Sequence, residues 1–163
     1  MSEPAWLTAA RAKIGIREVA GPGNSPTIMG WAKRLGGSVL GIAYGADSIP
    51  WCGLFVAECI TEAGLKPPPI AVRAKAWETW GVACQPQKGA VLVFQREGGG
   101  HVGFYDAETS TAYQVCGGNQ GDAVSLTWIA KDRCIAVRWP KGVAQNGQRV
   151  ALLSSGKLSV NEA

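Results

Sequence analysis

The sequence predicts an α+β protein in which N-terminal helices pack on a small antiparallel sheet of about five strands. Up to about residue 81, apolar residues recur every three or four positions between glycine-rich breaks, as in amphipathic helices. From residue 89 onwards, short β-branched and aromatic segments alternate with Gly and Asp, which is typical of antiparallel strands. The chain has 163 residues, 47% of them hydrophobic and 17% charged, so one domain with a proper core is expected.

Four segments are predicted to be helical, namely residues 4–15, 26–35, 50–63 and 72–81. Ser25 is placed to cap the second helix, and Pro26 fits its first position. Gly64 and the three prolines at 67–69 end the third helix, because a proline cannot continue it. The Gly- and Ser-rich residues 38–49 are predicted to form a loop.

Five strands are predicted after the helices, at residues 89–95, 101–107, 111–118, 122–129 and 134–140. Residues 141–163 mix Gly, Ser, Asn and Gln around one short apolar patch. They are predicted to form a loosely held extension. We therefore divide the chain into a domain at 1–140 and a C-terminal extension at 141–163.

Charge and hydropathy exclude several classes of protein. The net charge is +4, but the basic residues are scattered, whereas a nucleic-acid binder usually concentrates them. The bias does suit an anionic polymer such as the bacterial cell wall. No apolar run is long enough to insert in a membrane, and the first residues do not form a secretory signal. Synthesis in the cytoplasm is therefore expected.

The five cysteines form no C-x-x-C pair and no cluster with histidine, so a zinc site is not expected. Cys52 differs from the others because it begins a predicted helix. There the unpaired backbone N–H groups and the helix dipole favour the reactive thiolate. Cys59 lies two turns further along the same helix, beyond the reach of these effects and about 10 Å away, too far for a disulfide.

His101 is the only histidine, and it opens the second predicted strand. Alternation places it with Gly103 and Tyr105 on one face, opposite Val102 and Phe104, which we assign to the core face. This predicts that the imidazole lies outside the deepest core. A cysteine nucleophile needs a base, and His101 can supply it.

A histidine that acts as base needs a third group to orient its ring. The sequence after the third strand, GGNQGD, offers three candidates, and Asp106 is a more distant fourth. These candidates are Asn119, Gln120 and Asp122. Composition alone would assign the same residues to a tight turn.

The chain resembles phage-type members of the NlpC/P60 and CHAP superfamily, which are papain-like cysteine peptidases and amidases that cut bacterial cell-wall peptides. The resemblance covers roughly residues 4–140. It rests on the order and spacing of several short motifs, which are PWCGLFVAECITEAGL, RAKAWETWG, KGAVLVF, GHVGFY, GGNQGDAVSL and RWP.

The resemblance implies a papain-like fold and a catalytic triad. Cys52 would be the nucleophile, His101 the general base and later acid, and Asn119 the orienting residue, with Gln120 as the alternative. In place of the Asp that many relatives carry before the cysteine, this chain has Trp51, which we expect to line the substrate cleft, with Asp47 or Ser48 nearby in the entry loop. Gln120 is also expected among the substrate-binding residues.

The function implied is hydrolysis of an amide bond in peptidoglycan, in the manner of a phage lysin, and it needs no metal or organic cofactor. Such a protein is made in the bacterial cytoplasm and reaches the wall through a holin or with virion tail proteins. Two alternatives stay open at this point. One is a non-catalytic module that binds the cell wall or forms part of a phage tail. The other is a cysteine amidase or effector with a different amide substrate.

Overall fold

The computed structural model describes residues 3–162 and confirms the predicted α+β class, with helices before strands along the chain. The α-helices are α1 (Ala5–Arg11), α2 (Pro26–Leu35), α3 (Gly37–Leu40) and α4 (Cys52–Glu62). Ser25 caps α2 as predicted, since its hydroxyl accepts a hydrogen bond from the Ile28 N–H at 3.3 Å. The single-turn helix α3 lies where the sequence predicted only a loop, because one turn is too short to show a periodicity.

Two short 3₁₀ helices complete the helical part, Ala74–Thr79 and Lys131–Arg133. The first replaces the α-helix predicted at residues 72–81. It is anchored by Trp77, whose indole N–H donates to the Ala71 carbonyl at 3.0 Å. Short 3₁₀ segments of this kind are common connectors between longer elements.

The sheet has six antiparallel strands, one more than predicted, in the order β1-β6-β2-β3-β4-β5. They are β1 (Val82–Ala83), β2 (Val91–Arg96), β3 (Gly99–Glu108), β4 (Ala112–Gly117), β5 (Ser125–Ala130) and β6 (Cys134–Trp139). The additional strand β1 is an edge strand of two residues that pairs with β6. Two residues cannot show the alternation by which strands are recognised in a sequence.

The core lies between the sheet and α4, the central helix. All residues from Cys52 to Ile60 are buried, because α1 and α2 pack against α4 from one side and β3 from the other. Phe55 of α4 meets Phe104 of β3 with ring centroids 6.2 Å apart. This packing fixes the start of α4 against the sheet. None of the described helices is long and apolar enough to cross a membrane.

The extension beyond residue 140 corrects our expectation of a loosely held segment. Its described residues form no helix, but single bridges join Ala151 to Glu108 of β3 and Leu158 to Trp128 of β5. The Glu108 carboxylate accepts hydrogen bonds from Arg149 at 2.6 and 2.7 Å, and this contact holds the pKa of Glu108 at about 2. The extension is thus anchored along the sheet by specific contacts.

Candidate functional site

Cys52 is the first residue of α4 and lies on the floor of a surface cleft with a volume of about 300 Å³. The side chain is 5% exposed. The first hydrogen bond of the helix runs from the Phe55 N–H to the Trp51 carbonyl at 3.0 Å. The N–H groups of the preceding turn are therefore not used within the helix and point toward the start of α4, where the thiol lies.

Gly53 is required beside Cys52 because the chain passes very close to it. A Cβ atom at this position would lie 2.3 Å from the Ala71 carbonyl oxygen and 2.6 Å from that of Val72. Real side chains do not tolerate such distances. The glycine therefore lets residues 71–72 pass against the first turn of α4, and Val72 forms part of the cleft wall.

His101 lies on β3 where that strand approaches the start of α4. Strand β4 pairs with β3 only from Phe104 to Glu108, so the backbone at His101 and Val102 lies beyond the last paired residue. This leaves room for the Cys52 thiol, and the Val102 N–H helps to lower the pKa of that thiol.

The imidazole is 0% exposed, contrary to the prediction that it lies outside the deepest core. Phe94 of β2 packs beside it, with ring centroids 6.3 Å apart, and the loop after β4 covers it. Strand alternation assigns residues to opposite faces of a strand, but it does not show that both faces are covered.

Cys52 and His101 form an electrostatically coupled pair. Burial raises the pKa of the Cys52 thiol, but the neighbouring imidazole and the N–H groups of Val102 and Gly53 outweigh burial and lower it overall. Burial likewise lowers the pKa of His101, and the interactions with Cys52 and Gln120 raise it overall. Both shifts favour a thiolate beside an imidazolium, which is the reactive form of such a pair.

Gln120, in the loop after β4, orients the imidazole. Its side-chain oxygen lies 2.9 Å from His101 Nε2. Its side-chain nitrogen donates to the carbonyls of Val115 at 3.1 Å and Ser125 at 2.8 Å. Since these two bonds fix the amide, its oxygen must accept from His101, which places the proton on Nε2. The other ring nitrogen, Nδ1, has no hydrogen-bond partner in the described structure and is left to exchange a proton with Cys52.

Asn119, which we predicted to orient His101, occupies a different place. Its side-chain nitrogen donates to the Glu162 backbone carbonyl at 3.1 Å, while the contact to the imidazole is made by Gln120. The backbone of Asn119 is left-handed, with φ 58°. Asparagine adopts this conformation more readily than most residues, so the turn-forming interpretation of GGNQGD describes Asn119 well.

Trp51 and Asp47, predicted to line the substrate cleft, are both buried behind it. The Trp51 indole N–H donates to the Glu18 carboxylate at 2.9 Å. The Asp47 carboxylate accepts from the backbone N–H groups of Ser25 at 2.6 Å and Val19 at 2.8 Å. These residues thus hold the loops around the start of α4, and neither presents its side chain to a ligand in the cleft.

The cleft itself is cationic, which the sequence analysis did not predict. Arg73, Lys75 and Arg96 line it together with glycines 98–100, and its described lining contains no acidic side chain. The three cations come from two separate segments, so their convergence has no local sequence signature. The glycines before His101 were the one available signal, because they indicate a close approach of other groups.

We expect iodoacetamide at neutral pH to label Cys52 at least about ten-fold faster than Cys84, because the pKa of Cys52 is lowered and that of Cys84 is raised. Cys84 is the stricter control because it is more exposed than Cys52, while burial raises its pKa. Peptide mass spectrometry after short exposures measures both rates in one sample. Faster labelling of Cys84 would mean that accessibility and not ionisation governs these thiols, and the activation of Cys52 would be refuted.

A cysteine at the start of a buried helix, facing a strand histidine that a side-chain amide orients, is the arrangement of papain-like cysteine hydrolases. Residues 44–119 match the CHAP domain, which is consistent with the NlpC/P60–CHAP superfamily that the sequence motifs resemble. The matched segment contains Cys52 and His101 and ends one residue before Gln120. CHAP domains are typically cysteine- and histidine-dependent amidases or peptidases that act on peptidoglycan. A search of curated proteins found no match to the chain.

Proposed function

We propose that this protein is a peptidoglycan hydrolase that cleaves an amide bond through a thioester on Cys52. The observation that carries the proposal is the coupled Cys52–His101 pair on the floor of an open cleft, with Gln120 fixing the imidazole. In this proposal Cys52 is the nucleophile, His101 the general base and acid, and Gln120 the positioning residue.

The first half of the reaction forms the thioester. The Cys52 thiolate attacks the amide carbonyl carbon, and N–H groups at the start of α4, including that of Gly53, stabilise the negative charge on the oxygen. The carbon–nitrogen bond then breaks, and the His101 imidazolium gives its Nδ1 proton to the leaving amine. Closeness of the thiol and Nδ1 is sufficient at this stage, because catalytic hydrogen bonds often form fully only with substrate bound.

The second half restores the enzyme. Neutral His101 removes a proton from water, the resulting hydroxide attacks the thioester carbonyl, and the sulfur leaves as thiolate beside the imidazolium. The products are a carboxylate and an amine, and no redox partner is consumed. Gln120 keeps the Nε2 proton in place through both halves, so that Nδ1 performs each proton transfer.

The charge of the cleft supports a wall substrate. Arg73, Lys75 and Arg96 surround the approach to Cys52, and their positive charge favours an anionic ligand. Peptidoglycan stem peptides carry free carboxylates beside their amide bonds. We therefore propose that a stem-peptide carboxylate binds these cations while the neighbouring amide reaches the thiol.

The test is digestion of purified peptidoglycan followed by mass spectrometry of the soluble products, which reports activity and the bond cut together. We expect new fragments that differ from the undigested wall by the addition of water at one amide bond. Sedimentation with walls without any fragment would instead identify a non-catalytic binding or tail module. No binding and no fragments, with a reactive Cys52, would indicate a different amide substrate.

The finer part of the proposal is the role of a phage-type lysin, made in the bacterial cytoplasm and brought to the wall through a holin or with tail proteins. The support for it is the resemblance to phage-type members of the superfamily. Expression inside bacteria should leave cell turbidity unchanged until a pore-forming holin is co-expressed, and turbidity should then fall. Lysis without the holin would contradict this route and leave the hydrolase assignment intact.

A further inference from the structure

The last described residues of the extension, 157–162, lie beside the loop after β4 that contains Asn119 and Gln120. Leu158 bridges to Trp128 of β5, and the Ser159 N–H donates to the Trp128 carbonyl at 2.8 Å. Arg133, in the connection between β5 and β6, donates to the Ser159 carbonyl at 3.0 Å. These contacts fix the direction of the segment as it reaches Glu162.

Glu162 places a carboxylate in the protein interior, with a side-chain exposure of 0%. Its two oxygens accept from the Arg133 guanidinium at 2.6 and 3.0 Å, and the Ser159 hydroxyl donates to it at 2.6 Å. The backbone carbonyl of the same residue accepts the bond from Asn119. Glu162 therefore touches the residue next to Gln120, which holds the imidazole.

We propose that Glu162 is a positioning residue for the Cys52–His101 pair, acting in two ways from the extension. Its backbone carbonyl holds the left-handed turn at Asn119, which presents Gln120 to the imidazole. Its buried carboxylate supplies negative charge behind the imidazole and stabilises the imidazolium. The proposal rests on the proposed function for its relevance to catalysis, while its effect on the thiol can be measured without any substrate.

Electrostatics of the surrounding groups agree with this role. The groups that act on His101 are the Cys52 thiol, the Gln120 amide and Glu162, and the charge of Glu162 contributes to the raised pKa of the imidazole. Arg133 is the cation that faces Glu162, and it shares the carboxylate with Ser159. Burial alone would raise the pKa of Glu162, but Arg133 and Ser159 lower it overall, so the carboxylate stays charged at neutral pH.

The sign of the effect follows from the equilibrium between the neutral pair and the thiolate–imidazolium pair. The thiolate fraction at neutral pH depends on how far the pKa of His101 lies above that of Cys52. Removing the charge of Glu162 lowers the pKa of His101 and so lowers the thiolate fraction. At pH 10 the imidazole is neutral, so Glu162 no longer acts on the thiol through an imidazolium, and the effect should vanish there.

The experiment measures the rate of Cys52 alkylation by iodoacetamide between pH 5 and 10 in the full chain, with Cys84 as internal reference. For Glu162→Gln we expect a rate at pH 7 that is about three- to ten-fold lower, with wild-type rates at pH 10, because loss of the carboxylate charge lowers the pKa of His101. Glu162→Asp keeps the charge and should restore most of the rate. Asp132→Asn removes an exposed carboxylate one residue from Arg133 and should change nothing.

Each other outcome overturns the proposal in a recognisable way. An equal change at pH 7 and pH 10 in Glu162→Gln would indicate a purely structural role. Unchanged rates at both pH values would show that Glu162 does not act on the pair. Faster alkylation, or faster wall digestion by a variant ending at Gly156, would identify residues 157–162 as an inhibitory plug. Because alkylation needs no wall substrate, these results stand whether or not peptidoglycan is cleaved.

Discussion

Replacing Cys52 with alanine should reduce peptidoglycan hydrolysis by about 10⁴- to 10⁶-fold, to the background of the assay, as loss of a nucleophile does in related mechanisms. In the proposed mechanism the Cys52 thiolate forms the bond to the substrate carbonyl. Cys59 shares helix α4, but burial raises the pKa of its thiol well above the ordinary value. Release of soluble fragments from purified walls, followed over time by mass spectrometry, measures the loss.

The matched control is Cys59→Ala, which alters the same helix seven residues further along. Because Cys59 is buried, this change should lower the melting temperature while fragment release per folded molecule stays within about two-fold of wild type. Cys52→Ala should keep its melting temperature and its affinity for walls. Continued fragment release by Cys52→Ala, in protein free of contaminating hydrolases, would refute the nucleophile assignment and the thioester mechanism with it.

The position of Cys52 could be predicted from sequence because local signals determine α4. Its apolar residues, the following Gly64 and the three prolines set the helix between Cys52 and Glu62, within two residues of the prediction. Gly64 has a positive φ of 80°, the conformation expected of a glycine just beyond a helix. Local sequence also placed His101 on a strand and predicted five of the six strands. These features depend on near neighbours in the chain, which a single sequence displays.

The orienting residue could not be chosen from sequence because Asn119 and Gln120 are adjacent and chemically alike. The choice is made by partners distant in the sequence or across the loop. Val115 and Ser125 hold the Gln120 amide, and Glu162 holds the Asn119 amide. The buried position of Trp51 could not be predicted for the same reason, since its hydrogen-bond partner Glu18 is 33 residues away. Sequence spacing locates the loop, and tertiary hydrogen bonds decide which side chain reaches the imidazole.

The anchoring of the extension was hidden by its composition. Gly, Ser and Asn residues show no periodicity, and the contacts that hold the segment come from single charged residues far apart in the chain. Arg149 pairs with Glu108, and Arg133 pairs with Glu162, across 41 and 29 residues respectively. A buried carboxylate near the end of such a segment is therefore visible only in three dimensions.

Replacing Gln120 with leucine should lower kcat for wall hydrolysis by about 10²-fold, within the range of general acid–base catalysis, with little change in KM. Leucine is of similar size but cannot accept a hydrogen bond from the Nε2–H group, so the imidazole loses its orientation and the imidazolium loses a stabilising partner. Alkylation of Cys52 should slow at pH 7 as well, because Gln120 helps to raise the pKa of His101. Initial rates on soluble muropeptides over a range of concentrations separate kcat from KM.

Asn119→Gly is the matched control, because glycine keeps the left-handed φ of 58° without strain while removing the amide. It removes the bond from Asn119 to the Glu162 carbonyl but keeps the two bonds that hold the Gln120 amide, so we expect a loss of less than about ten-fold. Comparing the two variants therefore shows whether Asn119, which the sequence spacing favoured, or Gln120, which contacts the imidazole, is the third residue of the site. If Asn119→Gly loses 10²-fold in kcat while Gln120→Leu keeps near-normal activity, Asn119 is the third catalytic residue. The loop would then have to rearrange when substrate binds.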